Sequence, residues 1–295
     1  MKRKKYGAID IGSNAIRLLL VNVFTENEVS TFKKVSLTRV PLRLGEDVFM
    51  DGKISQEKAI DFERTMIAFE QLMKVHKVDE YRATATSAMR DASNGPTIVE
   101  GVRERTGIEI EVISGDEEAK IIRSTHVQER LSAGHDFLYV DVGGGSSEFS
   151  VLQNGKRIVS KSFKTGTVRM LNNMVNEKVW LEIEKWIRTH TAGIENIALL
   201  GSGGNINKVF KLSNTKEGKP LTYIKINTFY QDLKKLNYDQ RILKYNLNLD
   251  RADVILPALE IYLKALKWSG ATKVFVPKIG LADGMIKMMY KKYNA

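Results

Sequence analysis

Val140-Asp141-Val142-Gly143-Gly144-Gly145-Ser146-Ser147-Glu148 decides how this chain is read. An apolar run ends on a carboxylate, three glycines follow, and two hydroxyls lead to a second carboxylate. Glycines without Cβ let a backbone turn sharply and bring its N–H groups against an anion. A flanking Asp and Glu suit a hard divalent cation, which phosphates commonly carry with them. The apolar–Asp–apolar–Gly pattern also stands in Ile9-Asp10-Ile11-Gly12-Ser13-Asn14, and a third glycine-rich run is Leu200-Gly201-Ser202-Gly203-Gly204-Asn205. One such loop alone is a weak signal, since most are plain turns. Recurrence strengthens it and predicts two related halves around one phosphate-bearing ligand. Gly12, Ser13 and Asn14 come from the first half; Gly143, Gly144, Gly145, Ser146, Gly203, Gly204 and Asn205 come from the second.

With 295 residues the chain is long enough for two domains, each with its own core. Its 43% apolar and 27% charged residues are those of a globular protein. The absence of cysteine excludes disulfides, thiolate nucleophiles and Cys-built metal sites. That fits a reducing compartment, and a cytoplasmic protein is expected. Met1-Lys2-Arg3-Lys4-Lys5 followed by Tyr6 to Phe24 imitates a secretory signal, but Asp10, Asn14 and Arg17 interrupt the apolar stretch. No segment approaches the ~20 apolar residues that cross a bilayer. The net charge of +11 is one-sided, with 17 Lys+Arg against 7 Asp+Glu in residues 205–295. Such a surface either draws polyanions from solution or simply keeps the chain soluble. Nucleic acid is disfavoured, because no recognition motif with interleaved stacking aromatics accompanies the charge. His76, His126, His135 and His190 show no ligand spacing and read as structural or surface residues.

Alternating patterns predict strands at Tyr6–Asp10, Arg17–Phe24 and Val29–Ser36, an antiparallel meander whose second turn is Glu26-Asn27-Glu28. Ala59, Phe62, Met66, Phe69 and Met73 recur at helical spacing and predict a helix from Ser55 to Val75. A strand at Tyr81–Ala85, a helical turn at Thr86-Ser87 carrying Arg90-Asp91, a helix from Asn94-Gly95-Pro96 to Gly107 and a strand at Ile108–Ile113 follow. Ser114-Gly115-Asp116-Glu117 fits a capping box in which Glu117 reaches back to Ser114. Glu118 then points about 100° away around the helix and is left for another task. Phe137–Val142, Glu148–Gln153 and Lys156–Phe163, the last two joined by Asn154-Gly155, repeat the first meander. Helices are expected at Thr167–Val175, Lys178–Thr191, after Gly204-Asn205 and at Asp253–Trp268. A strand at Thr272–Val276 precedes a basic-ended terminal helix. Strands alternating with helices give an α/β architecture. The domains are expected to be 1–123 with 281–295, and 124–280.

Five motifs, Ala8 to Leu18, Ala85 to Ala92, Ile113 to Ala119, Val140 to Glu148 and Gly280-Leu281-Ala282-Asp283-Gly284, occur in one order from end to end. On them the chain resembles the Ppx/GppA phosphatases, the exopolyphosphatases and guanosine pentaphosphate phosphohydrolases of the actin-like (ASKHA, ribonuclease H-like) superfamily. It is similar to the short form, without an extra C-terminal helical region. The resemblance implies two actin-like domains with an interdomain cleft. It also implies release of orthophosphate from the ends of inorganic polyphosphate or pppGpp, with Mg²⁺ or another divalent cation. It makes Glu118 the base that activates water, Arg90 a contact of the terminal phosphate, and the three loops the phosphate cradle. Asp141 and Glu148 would lie by the cation, with Asp10 holding metal-bound water or positioning its loop. Expected partners are polyphosphate and pppGpp or ppGpp; a homodimer is compatible. Ala15, Asn205 and Ala282 depart from the family pattern, which has Ser, Thr and Arg there in many members.

Each assignment has a plainer alternative. Glu118 is otherwise an exposed helix carboxylate, Arg90 a partner of Asp91, and Asp10, Asp141 and Glu148 side-chain caps of their turns. Three functions compete: a Mg²⁺-dependent phosphohydrolase, a nucleotide-dependent kinase or ATPase of the same superfamily, and a non-catalytic alarmone- or polyphosphate-binding regulator. The Ser114–Ala119 element and the Arg90 motif favour the first.

Overall fold

Strands β1 (Lys2–Ile11), β2 (Ile16–Glu26) and β3 (Val29–Val40) form the antiparallel meander expected from their alternation. They belong to a computed structural model that describes residues 2–27, 29–125, 135–277 and 279–294. Glu28 and His126 lie outside the described residues. Helices α1 (Leu44–Asp51) and α2 (Gln56–His76) follow, α2 capped by the Ser55 side chain. Next come β4 (Glu80–Ala85), α3 (Ser87–Asp91), α4 (Gly95–Thr106), β5 (Ile110–Val112) and α5 (Gly115–Arg123). The sheet order is β3-β2-β1-β4-β5, with β4 and β5 parallel to β1. Tyr6, Ile9, Leu18, Phe62 and Phe69 fill its core.

The second meander is β6 (Asp136–Val142), β7 (Ser147–Gln153) and β8 (Lys156–Phe163). Asn154 and Gly155, with φ of 49° and 73°, make the predicted tight turn. Then come α6 (Thr167–Leu171), α7 (Glu177–Thr191), β9 (Ile197–Ser202), α8 (Gly204–Leu212) and β10 (Leu221–Thr222). Helices α9 (Tyr223–Lys234), α10 (Tyr238–Tyr245), α11 (Leu249–Ala252) and α12 (Ile255–Ser269) lead to β11 (Lys273–Phe275). The order is β10-β11-β9-β6-β7-β8. Read from β8 it repeats the first sheet, with β10 added at the edge. Even the register shift recurs: it falls at the fifth residue of the middle strand, Leu20 of β2 and Val151 of β7. Phe149, Phe163 and Trp186 pack ring against ring at 5.6–6.4 Å within this second core.

The last helix, α13 (Leu281–Asn294), does not join the second sheet. The chain divides into unit 1, residues 1–125 with 280–295, and unit 2, residues 126–279. In unit 1, Lys34 pairs with Asp283 at 2.6 Å, and the Ser124 hydroxyl donates to the Gly284 carbonyl at 3.1 Å. A Cβ on Gly284 would stand 2.1 Å from the Ile121 carbonyl oxygen, so only glycine allows α13 to lie this close to α5.

Some sequence expectations fail for local reasons. The strand over Ile108–Ile113 is reduced to β5. The helix expected to reach Val175 stops at Leu171, because Asn173 adopts φ 55° and closes its end. The helix placed at Asp253 starts at Ile255, since the Asp253 carboxylate takes the Val254 N–H at 2.8 Å. Ser114 does accept from the Glu117 N–H, but the Glu117 carboxylate turns to Lys120 at 3.2 Å instead of reaching back. Helices α1, α9 and α10 were not anticipated. Among the described residues no helix is long and apolar enough to cross a membrane.

Candidate active site

In unit 2 the triglycine turn is built from two strand ends. Asp141 and Glu148 are register partners on β6 and β7, which puts both carboxylates on one face of the sheet. The turn is closed by the Gly143 N–H donating to the Ser146 carbonyl at 3.0 Å. Behind it, α6 ties down the glycine carbonyls. Thr167 N–H donates to Gly143 at 3.0 Å, Val168 N–H to Gly144 at 2.9 Å, and Arg169 Nε to Gly145 at 2.8 Å. Carbonyl oxygens engaged in this way are held off an incoming anion.

Glu148 is only 4% exposed, and its Oε1 accepts from the hydroxyls of Ser146 at 2.6 Å and Ser162 at 3.0 Å. Asp141 Oδ2 accepts from the Tyr139 hydroxyl at 3.2 Å. Burial, and then the charge of Asp141, push the Tyr139 and Tyr262 hydroxyls well above the ordinary phenol range, so both remain donors. Tyr262 donates to the main-chain oxygens of Val140, at 3.1 Å, and Ser202.

The third glycine run lies against the first. β9 pairs with β6 so that Ser202 faces Asp141. Gly203, at φ 114°, would with a Cβ meet the Val142 carbonyl at 2.9 Å and Asp141 Oδ1 at 3.4 Å. Gly204 then opens α8, directing a helix N-terminus and its N–H groups from the same corner. The Asn205 Oδ1 is buried and has no hydrogen-bond partner among the described residues. Lys208 and Lys211 lie one and two turns further along α8. The Lys208 ammonium is held below the usual lysine range by burial first, and then by Arg251 and Lys211. The two lysines were not picked out by sequence reasoning; their i, i+3 spacing after a Gly-Gly helix start was the signal for them.

In unit 1 the corresponding turn has different chemistry. Asp10 is 7% exposed, and its register partner on β2 is Arg17, whose Nη1 donates to Asp10 Oδ2 at 2.6 Å. Arg17 thus stands where unit 2 has Glu148. Gly12 N–H bonds the Ala15 carbonyl at 3.2 Å, while Gly45 and Arg43 N–H groups hold the carbonyls of Ser13 at 2.8 Å and Asn14 at 3.1 Å. The Ser13 hydroxyl lies 2.9 Å from that of Ser87, the first residue of α3. Three residues later, Arg90 Nη1 donates to the Ile113 carbonyl at 2.8 Å, and its Nε is 3.8 Å from Asp91. Ile113 directly precedes the cap of α5, so Arg90 is fastened to the start of the helix that bears half-buried Glu118. Ser13, Ser87, Arg90 and the Glu118 helix are therefore connected within unit 1. Ala15 and Ala282 are buried.

Among the described residues no three or more His, Asp or Glu side chains gather to hold a metal by themselves. The Asp141–Glu148 pair nonetheless fits Mg²⁺, which binds through one or two carboxylates and completes its shell with water and phosphate oxygens.

The Ppx/GppA phosphatase family pattern matches residues 22–293. A Fusobacterium nucleatum bifunctional 3-dehydroquinate synthase/phosphatase is 31% identical over 91% of this chain and 44% of its own length. Exopolyphosphatase 1 of Mycobacterium tuberculosis is 31% identical over 56% of this chain and 47% of its own. The chain spans about half the length of these relatives. Among solved structures, the Aquifex aeolicus Ppx/GppA family member superposes with a TM-score of 0.77 over all of both chains at 22% identity. An exopolyphosphatase from Cytophaga hutchinsonii gives 0.83 over 98% of each chain at 20% identity. These likenesses identify the α/β fold, with its repeated sheet order, as the two-domain actin-like fold of those structures. With its motifs, its doubled sheet and a match across nearly its whole length, the chain belongs to the Ppx/GppA phosphatase family.

Proposed function

We propose that this protein hydrolyses terminal phosphoanhydride bonds of inorganic polyphosphate or pppGpp and releases orthophosphate. The observation that carries the reading is the 2.8 Å bond from Arg90 to Ile113, which couples a phosphate-binding fork to the helix of a candidate base. Two Mycobacterium tuberculosis relatives bear the name exopolyphosphatase, which supports polyphosphate as the first substrate to try.

Glu118 accepts a proton from water as the water oxygen bonds to the terminal phosphorus. The anhydride P–O bond breaks, and its electrons stay with the shortened chain. Such reactions are accelerated mainly by positioning and by neutralising phosphoryl charge. Arg90 contacts the terminal phosphoryl oxygens. Gly12, Ser13 and Asn14, like Gly143 to Ser146 and Gly203, Gly204 and Asn205, offer N–H groups and side chains to phosphate oxygens. Asp141 and Glu148 hold the divalent cation, which when bound offsets the charge of the phosphates. Asp10 positions its loop through Arg17. Lys208, Lys211 and Arg251 take further phosphates of the chain.

Phosphate release from polyphosphate and from pppGpp, with and without Mg²⁺, tests the proposal. Glu118→Gln should lower turnover by about 10²–10⁴-fold, the usual worth of a positioned base, at unchanged thermal stability. Equal rates in variant and wild type would refute the assignment of the base. Binding of ppGpp without turnover of either substrate would favour a regulator.

A further inference from the structure

Unit 2 buries two phenols beside its strand ends, and they serve different partners. Tyr262, on α12, is 0% exposed and gives its hydroxyl to main-chain oxygens of β6 and β9. Tyr139 sits two residues before Asp141 on the same strand, so both side chains leave the same face. Its hydroxyl donates to a carboxylate oxygen, Asp141 Oδ2, at 3.2 Å. The other oxygen, Oδ1, faces Gly203, where a Cβ would come within 3.4 Å. An aspartate carboxylate turns easily about its terminal torsion. Here one oxygen is bound to a buried donor and the other abuts a backbone that only glycine leaves open. The Ser202 hydroxyl, on the residue paired with Asp141, donates to the Ile279 carbonyl at 3.3 Å and lies beside the Tyr139 oxygen. A phenylalanine would fill the same space without a polar group to satisfy, so the hydroxyl calls for a role beyond packing.

We infer that Tyr139 is a positioning residue for the divalent-cation site, its hydroxyl setting which oxygen of Asp141 is presented to the cation. The inference rests on the assignment of Asp141 to that cation. Hydrogen bonds to the ligands of a metal fix their orientation, and losing one commonly weakens binding about 10–100-fold.

Mn²⁺ is the probe, its binding to the full-length protein followed by the paramagnetic resonance of the free ion, with melting temperature recorded alongside. Tyr139→Phe should bind Mn²⁺ about tenfold more weakly. Tyr262→Phe, which loses an equally buried hydroxyl bonded only into the scaffold's main chain, should lose thermal stability and keep wild-type affinity. Equal weakening in the two variants would mean a merely structural effect and overturn the inference. Wild-type affinity in Tyr139→Phe, with binding lost in Asp141→Asn, would overturn it while leaving Asp141 as a ligand. Wild-type affinity in Asp141→Asn would remove the underlying assignment and the inference with it. Should Tyr139→Phe fail to fold, Ser202→Ala takes its place: a smaller loss of Mn²⁺ affinity is expected, and none contradicts.

Discussion

A carboxylate in one unit and a guanidinium in the other occupy the same place across the glycine turn. Glu148 beside Asp141 makes an acidic pair; Arg17 beside Asp10 makes a closed ion pair. The cation is therefore expected on the first and not on the second. Support for the unit 1 loop extends outward to Lys58, whose ammonium holds the Arg43 carbonyl at 3.0 Å and the Asp47 carboxylate at 2.6 Å. Burial tends to raise the Asp47 pKa, but Lys58 and Ser55 outweigh it and hold the carboxyl below its ordinary value of 3.8. Its stabilising contribution is thus complete at neutral pH and fades as pH falls through that value. Asp47→Asn should cost about 1 kcal/mol at pH 7, and the difference from wild type should vanish in melts taken at progressively lower pH below about 4. A constant gap down to the acid limit would contradict the ion pair. Asp10, Asp141 and Glu148 were legible in the sequence because their glycines mark the turns. Their partners were not: Arg17 and Ser202 are matched to them only when strands align in register, and the bond from Tyr139 to Asp141 shows only in the folded side chains.

The helices show why elements were read unevenly. Where one face is buried, as in α2 with Phe62, Met66, Phe69 and Met73, the spacing announces it. Helix α10 has no fully buried residue, and its short apolar face only half-buries Ile242 and Tyr245 against the core. Its signal was a cap: Asn237 and Gln240 form the full reciprocal box, with both bonds at 2.9 Å, which the Ser114 motif forms only by half. The helix that carries Glu118 takes its place from α13 as much as from its own sequence. Gly284→Ala would drive a methyl into the Ile121 carbonyl, and the displaced α5 should cost about 1–3 kcal/mol, typical of overpacking. Turnover should fall with it, since Glu118 moves with α5. A variant with wild-type melting temperature and rate would show that the two helices are not so tightly joined.

The two sheets share strand order and even a register shift, which is what two copies of one ancestral half would leave. This symmetry was legible from the repeated motif at residues 9–12 and 140–143. Its asymmetry was harder to see, because the insertion of α9 to α11 carries no glycine-rich signature. Unit 2 is one continuous stretch with its own core, whereas unit 1 needs the last helix. Deleting residues 280–295 should therefore strip hydrogen-exchange protection from β1, β4 and α5 and leave β6, β7 and β9 protected. Loss of protection in both units together would show that they fold as one.

That discontinuity matters while the protein is being made. Residues 1–125 leave the ribosome before the rest, yet the helix that packs on α5 at Ile121 emerges only after the whole intervening unit. Until then the nascent chain carries an uncovered apolar flank, the kind of surface to which chaperones bind and at which aggregation begins. Translation that stalls before α13 leaves the base-bearing helix unfinished, however well the second half has folded.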